Sequence, residues 1–259
     1  MPAYAWAVKE DGLDDLIANL PDEALVLDVG GWASTHPRAD WVIDIGPWET
    51  RDQFAPAGRN APERVTKERW VQQDICGPQP WPFEDDMFDF AICTQTLEDI
   101  RDPLHACSEL SRVAKAGYVE TPHAAIELTR GVESPLWCGW GHHWWLVLRD
   151  GPGLVFMMKP HHIHSPFWPA IPSPQLLHPE AARPIRLAWT GSLPAREDFI
   201  LDHDSFDGRL REIAAESSRP STLAPLRRRF AELTWQGYRA GRRGLGRAAR
   251  AASKARTKG

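Results

Sequence analysis

The chain has 259 residues, of which 42% are hydrophobic and 25% charged, and its formal net charge is -5. This composition is typical of a globular protein and excludes the collagen-like, coiled-coil and wholly disordered classes. No stretch approaches the run of about 18 apolar residues that a membrane-spanning helix needs, and residues 1–20 lack the basic flank and apolar core of a signal peptide. We therefore expect a cytoplasmic protein with no transmembrane segment.

Short apolar runs alternate with polar segments through the first half of the chain. Five runs are typical of buried strands of a parallel sheet: residues 24–30, 41–45, 70–74, 88–93 and 118–122. Residues 102–115 carry apolar side chains at helical spacing before Ala116 and Gly117 interrupt the pattern. Strands that alternate with helices or loops predict an α/β, Rossmann-like, doubly wound and mostly parallel sheet.

The pattern changes after Pro122. Residues 144–148 and 154–158 are two apolar runs around a Gly- and Pro-containing turn, which predicts a hairpin. A segment rich in Pro and His follows at 160–184, and the runs at 185–189 and 198–201 predict two antiparallel strands that complete a seven-stranded sheet.

The charge is distributed unevenly along the chain. Residues 219–259 contain 12 Lys and Arg residues against one acid, Glu232, a formal charge of +11 that leaves -16 for residues 1–218. We therefore predict one catalytic domain over residues 1–218, with the hairpin and His-rich insertion at about 123–184, followed by a basic C-terminal helix and tail at 219–259. Such a tail suits an anionic partner, which RNA, a membrane surface or the acidic body of the protein could supply.

Polar residues follow four of the predicted parallel strands, at the edge of the sheet where such folds bind ligands. They are Asp28, Gly30 and Gly31 after the first strand, Asp44 after the second, Asp74 with Ile75 after the third, and Thr94 with Gln95 after the fourth. The two glycines permit close approach of a ligand to the backbone. The acid at the end of the second strand can accept both hydroxyl hydrogens of a ribose. Asp74 could accept the amine of adenine while Ile75 covers a ring face.

These residues stand in stretches that resemble the motifs of class I S-adenosylmethionine-dependent methyltransferases, in the group typified by ubiquinone and menaquinone biosynthesis enzymes. The stretches are VLDVGG, VIDI, QQDICGPQPWPFEDDMFDFAICTQTLEDIRDP and SELSRVAKAGYVETP. The resemblance covers residues 24–122 and implies S-adenosyl-L-methionine as the cofactor. It assigns Asp28, Gly30, Gly31, Asp44, Asp74, Ile75, Thr94 and Gln95 to the cofactor site.

Two departures from the family pattern affect this assignment. Asp44 follows Gly30 by only 14 residues, so we expect the first helix of the family fold to be short or absent. The frequent Glu-His pair after the fourth strand is replaced by Glu98 and Asp99, so no role can be transferred to that histidine. From the residues alone, Asp28 either organises its loop or contacts the ligand, and Asp44 and Asp74 are either ligand acceptors or solvated acids at strand ends.

Two clusters of histidines flank the predicted hairpin, at 141–145 and 160–164. They could hold a metal, supply a general base or serve structure, and the spacing does not distinguish these roles. The first cluster loosely resembles Gly-x-x-His-His-x-Trp segments of bacterial methyltransferases, which favours a pocket role. We therefore assign no metal site and take His142, His143 and His123 as candidate catalytic bases.

The sequence thus predicts an enzyme that transfers methyl groups to an O or N atom of a small molecule or a glycan-like precursor. An alternative is a methyltransferase-fold protein that binds RNA or an anionic surface with weak or no catalysis. A dinucleotide-dependent Rossmann enzyme is disfavoured because the G-x-G-x-x-G pattern is missing. Nucleobase methylation is disfavoured because Thr94-Gln95-Thr96-Leu97 replaces the Asn-Pro-Pro-Tyr type of motif.

Overall fold

The computed structural model describes residues 12–51 and 64–219, together with Leu233 and Gly237. The described residues form two compact units. The first unit consists of the described residues up to Pro122 with Trp144–Met157 and Pro184–Asp198. The second unit consists of His123–His143, Met158–Arg183 and the described residues from Phe199 onward. The predicted basic helix of the tail lies almost wholly outside the described residues.

A six-stranded sheet forms the centre of the first unit. Its strands are β1 Val26–Val29, β2 Trp41–Asp44, β3 Trp70–Gln72, β4 Phe90–Thr94, β5 Ala116–Thr121 and β8 Ile185–Thr190. The numbering follows the chain, and β6 and β7 belong to a second sheet described below. The six strands lie in the order β3-β2-β1-β4-β5-β8, and all neighbours are parallel except β5 and β8. This order confirms the α/β, Rossmann-like, mostly parallel architecture expected from the sequence.

The prediction of a seventh strand at 198–201 in this sheet is wrong. Residues 198–201 form no strand, because the extended segment lies just before them, at Ala195–Glu197, which is β9. That strand pairs in parallel with β7 Gly153–Met158, which is the neighbour of β6 Trp145–Asp150 in a separate three-stranded sheet. Asp198 then donates its backbone N–H to the carbonyl of Phe156, 2.9 Å away.

Two helices accompany the strands of the first unit, α1 Leu13–Ala18 and α2 Pro103–Val113. Asp102 begins α2, since its carboxylate accepts the backbone N–H of His105 (2.9 Å) and Pro103 occupies the first turn. The helix ends at Val113, two residues before the predicted end, and the fifth strand begins at Ala116 and not at Tyr118, so Ala116 and Gly117 belong to β5. The core on one face of the sheet includes Leu27, Ala91 and Leu110, all of which are fully buried.

The second unit is built around α3 Ala124–Glu127 and α4 His203–Glu216, with short 3-10 turns at His161–His164 and Pro174–Leu176. The side chain of Asp202 begins α4 by accepting the backbone N–H of Ser205 (2.8 Å). None of the helices described in either unit is long and apolar enough to cross a membrane.

Candidate functional site

The loop after β1 is organised by the buried carboxylate of Asp28. Its Oδ2 atom accepts the backbone N–H of His36 at 2.7 Å. Gly31 packs directly on this carboxylate, because a Cβ atom added there would lie 2.6 Å from Oδ2. Gly30 has a φ of +79° and faces the side chain of Thr96, so both its conformation and its surroundings require glycine. No helix forms between β1 and β2, as the short spacing to Asp44 predicts.

Asp44 ends β2 and holds the same loop from the other side. Its Oδ2 atom accepts the backbone N–H of Trp32 at 3.0 Å, and its Oδ1 atom accepts that of Gly46 at 2.6 Å. Burial raises the pKa of Asp44, although the N–H groups of Gly46, Trp32 and Ile45 oppose this shift. Because each carboxylate oxygen can accept two hydrogen bonds, Asp44 retains acceptor capacity for the hydroxyl groups of a ribose.

Asp74 follows β3 and is paired with an arginine that the sequence analysis did not consider. Its Oδ2 atom lies 2.5 Å from Nη2 of Arg101, and its Oδ1 atom accepts the backbone N–H of Cys76 at 2.9 Å. The hydrogen bond from Arg101 lowers the pKa of Asp74. Ile75 is buried in the core, and its carbonyl accepts the indole N–H of Trp81 at 3.2 Å. Asp74 therefore stays ionised and is fixed in direction.

Gln95 adopts a strained backbone conformation directly after β4, with a φ of +52°. Its backbone N–H donates to the carbonyl of Glu120 at 2.8 Å, and its side-chain amide donates to Oε1 of the same residue at 3.2 Å. Glu120 is buried and also accepts hydrogen bonds from Tyr118 (3.1 Å) and Arg186 (2.9 Å). Thr94 is half-buried and pairs with Glu120 in the sheet.

The eight predicted cofactor residues thus all belong to the first unit, and they lie at or just after the carboxyl ends of β1, β2, β3 and β4. Parallel strands bring their carboxyl ends to one edge of a sheet, which is where ligands bind in open α/β folds. The acceptors at this edge are carboxylates and an exposed amide, which suit ribose hydroxyls, an adenine amine and a positively charged sulfonium group. The sequence did not indicate that Thr96 packs against Gly30 or that Arg101 pairs with Asp74. No motif marks either residue.

The three candidate bases belong to the second unit and differ in their surroundings. His123 caps α3, since its Nδ1 atom accepts the backbone N–H of Ala125 at 3.1 Å, and burial lowers its pKa. His142 lies at the surface. Partial removal of its ring from water lowers its pKa, and the charge of a protonated His143 beside it would act in the same direction. His143 is buried, and its Nδ1 atom lies 2.9 Å from Oε1 of Glu127.

The histidines of the second cluster, at 160–164, contact other side chains and backbone groups of the second unit. The ring of His162 stacks on that of His203 with centroids 5.0 Å apart, and its Nε2 atom lies 3.2 Å from Oδ1 of Asp207. His164 accepts the backbone N–H of Cys138 through Nδ1 at 3.1 Å. Among residues 12–51 and 64–219, no group of three or more His, Cys, Asp or Glu side chains has the arrangement of a metal site.

The first unit is an α/β domain with hydrogen-bond acceptors at the strand ends, and a family comparison indicates the kind of domain. Residues 49–119 match the family described as "Methyltransferase domain". This match confirms the resemblance to class I S-adenosylmethionine-dependent methyltransferases over residues 49–119, and the family implies S-adenosyl-L-methionine as the cofactor. A comparison with curated proteins gives no match.

Several solved structures are similar to part of the chain. A methyltransferase of Bacillus halodurans described as putative is 23% identical over 42% of this chain and 49% of its own, with a TM-score of 0.32. The YcgJ protein of Bacillus subtilis is 25% identical over 44% of this chain and 51% of its own, with a TM-score of 0.33. A SAM-dependent methyltransferase of Aquifex aeolicus is 19% identical over 45% and 65%, with a TM-score of 0.32. The chain therefore spans about half the length of the first two.

Proposed function

We propose that the chain is an enzyme that uses S-adenosylmethionine to methylate an O or N atom of a small molecule or a glycan-like precursor. The observation that carries the proposal is the buried carboxylate of Asp44 at the end of β2, which anchors the loop after β1 and retains capacity for ribose hydroxyls. The family match over residues 49–119 supports the same cofactor.

The residues of the first unit would hold the cofactor in the following roles. Asp44 accepts hydrogen bonds from the ribose, and Asp74 accepts one from the adenine amine while Arg101 fixes its direction. Gly30 and Gly31 would shape the loop beside the cofactor, because they leave room for the side chains of Thr96 and Asp28 that pack against them. The bound cofactor supplies an electrophilic methyl group, which the oxygen or nitrogen of the acceptor takes while the sulfur keeps the electron pair of the broken bond.

The protein must also remove a proton from a hydroxyl or ammonium acceptor, and we propose His123, His142 or His143 for this step. The hydrogen bond that His123 accepts at Nδ1 places the proton of its neutral ring on Nε2, so that His123 can accept a proton only by giving up its cap on α3. His142 and His143 have no such constraint. Partial burial lowers the pKa of His142, which keeps that ring neutral near physiological pH.

Calorimetry with S-adenosylmethionine and its demethylated product tests the cofactor assignment. We expect micromolar binding, and Asp44→Ala should weaken it by about 1.5–3 kcal/mol through loss of charge-assisted hydrogen bonds. Asp89→Ala is a matched control, because Asp89 precedes β4, accepts the backbone N–H of Leu25 (2.9 Å) and pairs with Lys115 (2.8 Å). Wild-type protein without affinity for either ligand would remove the proposal, and equal affinities of the wild type and Asp44→Ala would remove the ribose assignment.

The acceptor class can be tested with cofactor that carries a tritium label in its methyl group. Extracts separated into small-molecule, glycan and RNA fractions are incubated with the protein, and label is expected in one of the first two. Label in RNA alone, lost when residues 219–259 are deleted, would favour the alternative in which the tail charge of +11 directs the protein to an anionic partner.

A further inference from the structure

Gln95 and Glu120 form a hydrogen-bonded pair in the first unit, just after β4 and near the end of β5. The backbone N–H of Gln95 donates to the carbonyl of Glu120 at 2.8 Å, and its side-chain amide donates to Oε1 at 3.2 Å. Oε2 of Glu120 accepts hydrogen bonds from Arg186 (2.9 Å) and Tyr118 (3.1 Å). Glu120 is buried, whereas Gln95 is exposed. A buried carboxylate thus holds an exposed carboxamide.

The backbone of Gln95 has a conformation that a long side chain rarely adopts. Its φ of +52° lies in the left-handed region. Such conformations persist only where the surroundings over-determine them, and they cluster at sites that bind or react. The backbone and side-chain hydrogen bonds to Glu120 supply that constraint here. The constraint therefore points to a defined task for the carboxamide.

Glu120 decides which way the carboxamide of Gln95 faces. Because a carboxylate only accepts hydrogen bonds, the NH₂ group of Gln95 faces Glu120 and its carbonyl oxygen, Oε1, faces away. Within the described ranges 12–51 and 64–219, no hydrogen bond uses Oε1 of Gln95. Gln95 therefore presents one directed hydrogen-bond acceptor at the carboxyl end of β4.

This acceptor lies beside the point where the strand order of the main sheet reverses. The chain builds β1, β2 and β3 on one side and β4 and β5 on the other, and open α/β sheets bind ligands at such a point. The loops after β1 and β4 meet where Thr96 packs against Gly30. Asp44 and Asp74, the acids proposed for ribose and adenine, follow β2 and β3, whereas Gln95 is hydrogen-bonded to β5. The side of β4 and β5 is thus left for the molecule that receives the methyl group.

The carboxamide of Gln95 distinguishes nitrogen from oxygen as the methylated atom. An amide oxygen accepts a hydrogen bond but is too weak a base to take a proton. A hydroxyl group loses its only hydrogen on methylation, so its hydrogen bond to Gln95 would be lost during the reaction. An amine nitrogen keeps a hydrogen, and its bond to the amide oxygen strengthens as positive charge develops on nitrogen. Interactions that strengthen in the transition state are the ones that accelerate a reaction.

We propose that Oε1 of Gln95 binds the N–H group of a primary or secondary amine acceptor, and that Glu120 is the positioning residue that directs this oxygen. The inference rests on the proposed methyl transfer and selects nitrogen from its two acceptor atoms. The amine enters the step unprotonated, and its lone pair forms the N–C bond. The S–C bond breaks with its electron pair left on sulfur, so the positive charge passes from sulfur to nitrogen. The ammonium product afterwards gives a proton to water.

Proton–nitrogen NMR of the side-chain amide tests the direction of Gln95 without any acceptor. The signals are assigned by their loss in Gln95→Met. We expect the amide proton bonded to Glu120 to exchange with water at least about tenfold more slowly than those of Gln79, an exposed glutamine of the same unit. In Glu120→Gln this difference should be lost, because an amide at position 120 can donate as well as accept. Exchange of both Gln95 protons at the rate of Gln79 in the wild type would overturn the proposal.

S-adenosylmethionine that carries ¹³C in its methyl group identifies the methylated atom. The acceptor fraction that takes up label is incubated with this cofactor and the protein, and the carbon chemical shift of the product distinguishes N-methyl from O-methyl groups. We expect N-methyl groups. O-methyl groups would overturn the inference and leave the methyl transfer intact. Failure of the wild type to bind the cofactor would instead refute the proposed function, with the amide-proton result unaffected.

Kinetics with the same fraction separate the acceptor from the cofactor as the partner of Gln95. Gln95→Met should lower kcat/KM for the acceptor by about 10- to 100-fold, the effect of one hydrogen bond to a charged group, while the affinity for S-adenosylmethionine stays within about threefold. Gln79→Met is the matched control, since Gln79 is exposed and its side chain makes no hydrogen bond among the described residues. An equal loss of cofactor affinity in Gln95→Met would place Gln95 in the cofactor site, as the family resemblance assigns it, and would overturn the proposal.

Glu120→Gln separates a positioning role from a structural one. Alone it should lower kcat/KM by about 3- to 10-fold, but it should have no further effect in Gln95→Met, because the direction of the amide no longer matters once the amide is gone. Arg186 loses its charged partner in this variant, but 30% of its side chain is exposed, so water can solvate it and the protein stays folded. Additive losses in the double variant would show a structural role for Glu120 and refute its positioning role.

Discussion

Gly139→Ala should be one of the most destabilising small substitutions in the second unit. Gly139 has a φ of +61°, a conformation that costs a residue with a Cβ atom about 1–2 kcal/mol. An added Cβ would also lie 2.6 Å from Cα of Glu127 and 2.8 Å from its Cδ, and overpacking of this kind costs about 1–3 kcal/mol. The two contributions together predict a loss of about 2–5 kcal/mol in the free energy of unfolding.

Gly131→Ala separates these two contributions. Gly131 has a similar φ of +76°, but no atom lies within 4 Å of the position its Cβ would take. This variant should lose only the backbone share, about 1–2 kcal/mol. Urea unfolding of both variants, followed by tryptophan fluorescence, measures the difference that contact with Glu127 makes. Losses that agree within about 0.5 kcal/mol would refute the tight packing of Gly139 on the buried carboxylate.

Three further predictions concern other parts of the molecule. The lowered pKa of His123 means that the folded state binds its proton less readily than the unfolded state, so stability is full above pH ~6.5 and falls as the pH drops through the folded pKa. His123→Asn, which retains a cap for α3, should reduce this acid sensitivity in pH-dependent urea unfolding. Asp207→Asn should cost about 2–3 kcal/mol in the same assay, because Arg211 (2.8 Å) and the indole of Trp168 (2.8 Å) lose a charged acceptor. Truncation after Ser218 should leave the calorimetric affinity for S-adenosylmethionine unchanged, since every predicted cofactor residue precedes it; a lost affinity in folded truncated protein would contradict this.

The sheet was largely predictable because its buried parallel strands are apolar runs that end in polar residues. The run at 24–30 contains β1, and the run at 88–93 contains all of β4 except its last residue, Thr94. The short interval between Gly30 and Asp44 correctly indicated a short or absent helix. The partner of a short strand was not predictable in the same way. β9 has only three residues, and nothing in its composition distinguishes pairing with β7 from pairing at the edge of the main sheet.

The tertiary partners of the charged residues could not be predicted from the sequence. Glu127 and Lys159 are 32 residues apart, and each alone has the pattern of an ordinary surface charge. His142 and His143 are adjacent and chemically identical. Which of the two rings is buried against Glu127 depends on the backbone conformation, which the sequence does not indicate. The roles of the candidate bases and of the cofactor residues remain predictions.

The antiparallel edge strand of the main sheet has a consequence for synthesis of the protein. β8 covers β5, and the ion pair between Glu120 and Arg186 that accompanies this contact joins residues 66 positions apart. During synthesis, β1 to β5 leave the ribosomal exit tunnel before β8 does. Until β8 has also left the tunnel, the backbone groups of β5 form an open sheet edge. Slow translation of the intervening residues would lengthen this interval and increase aggregation, and a chaperone that shields strand edges should raise the yield of folded protein.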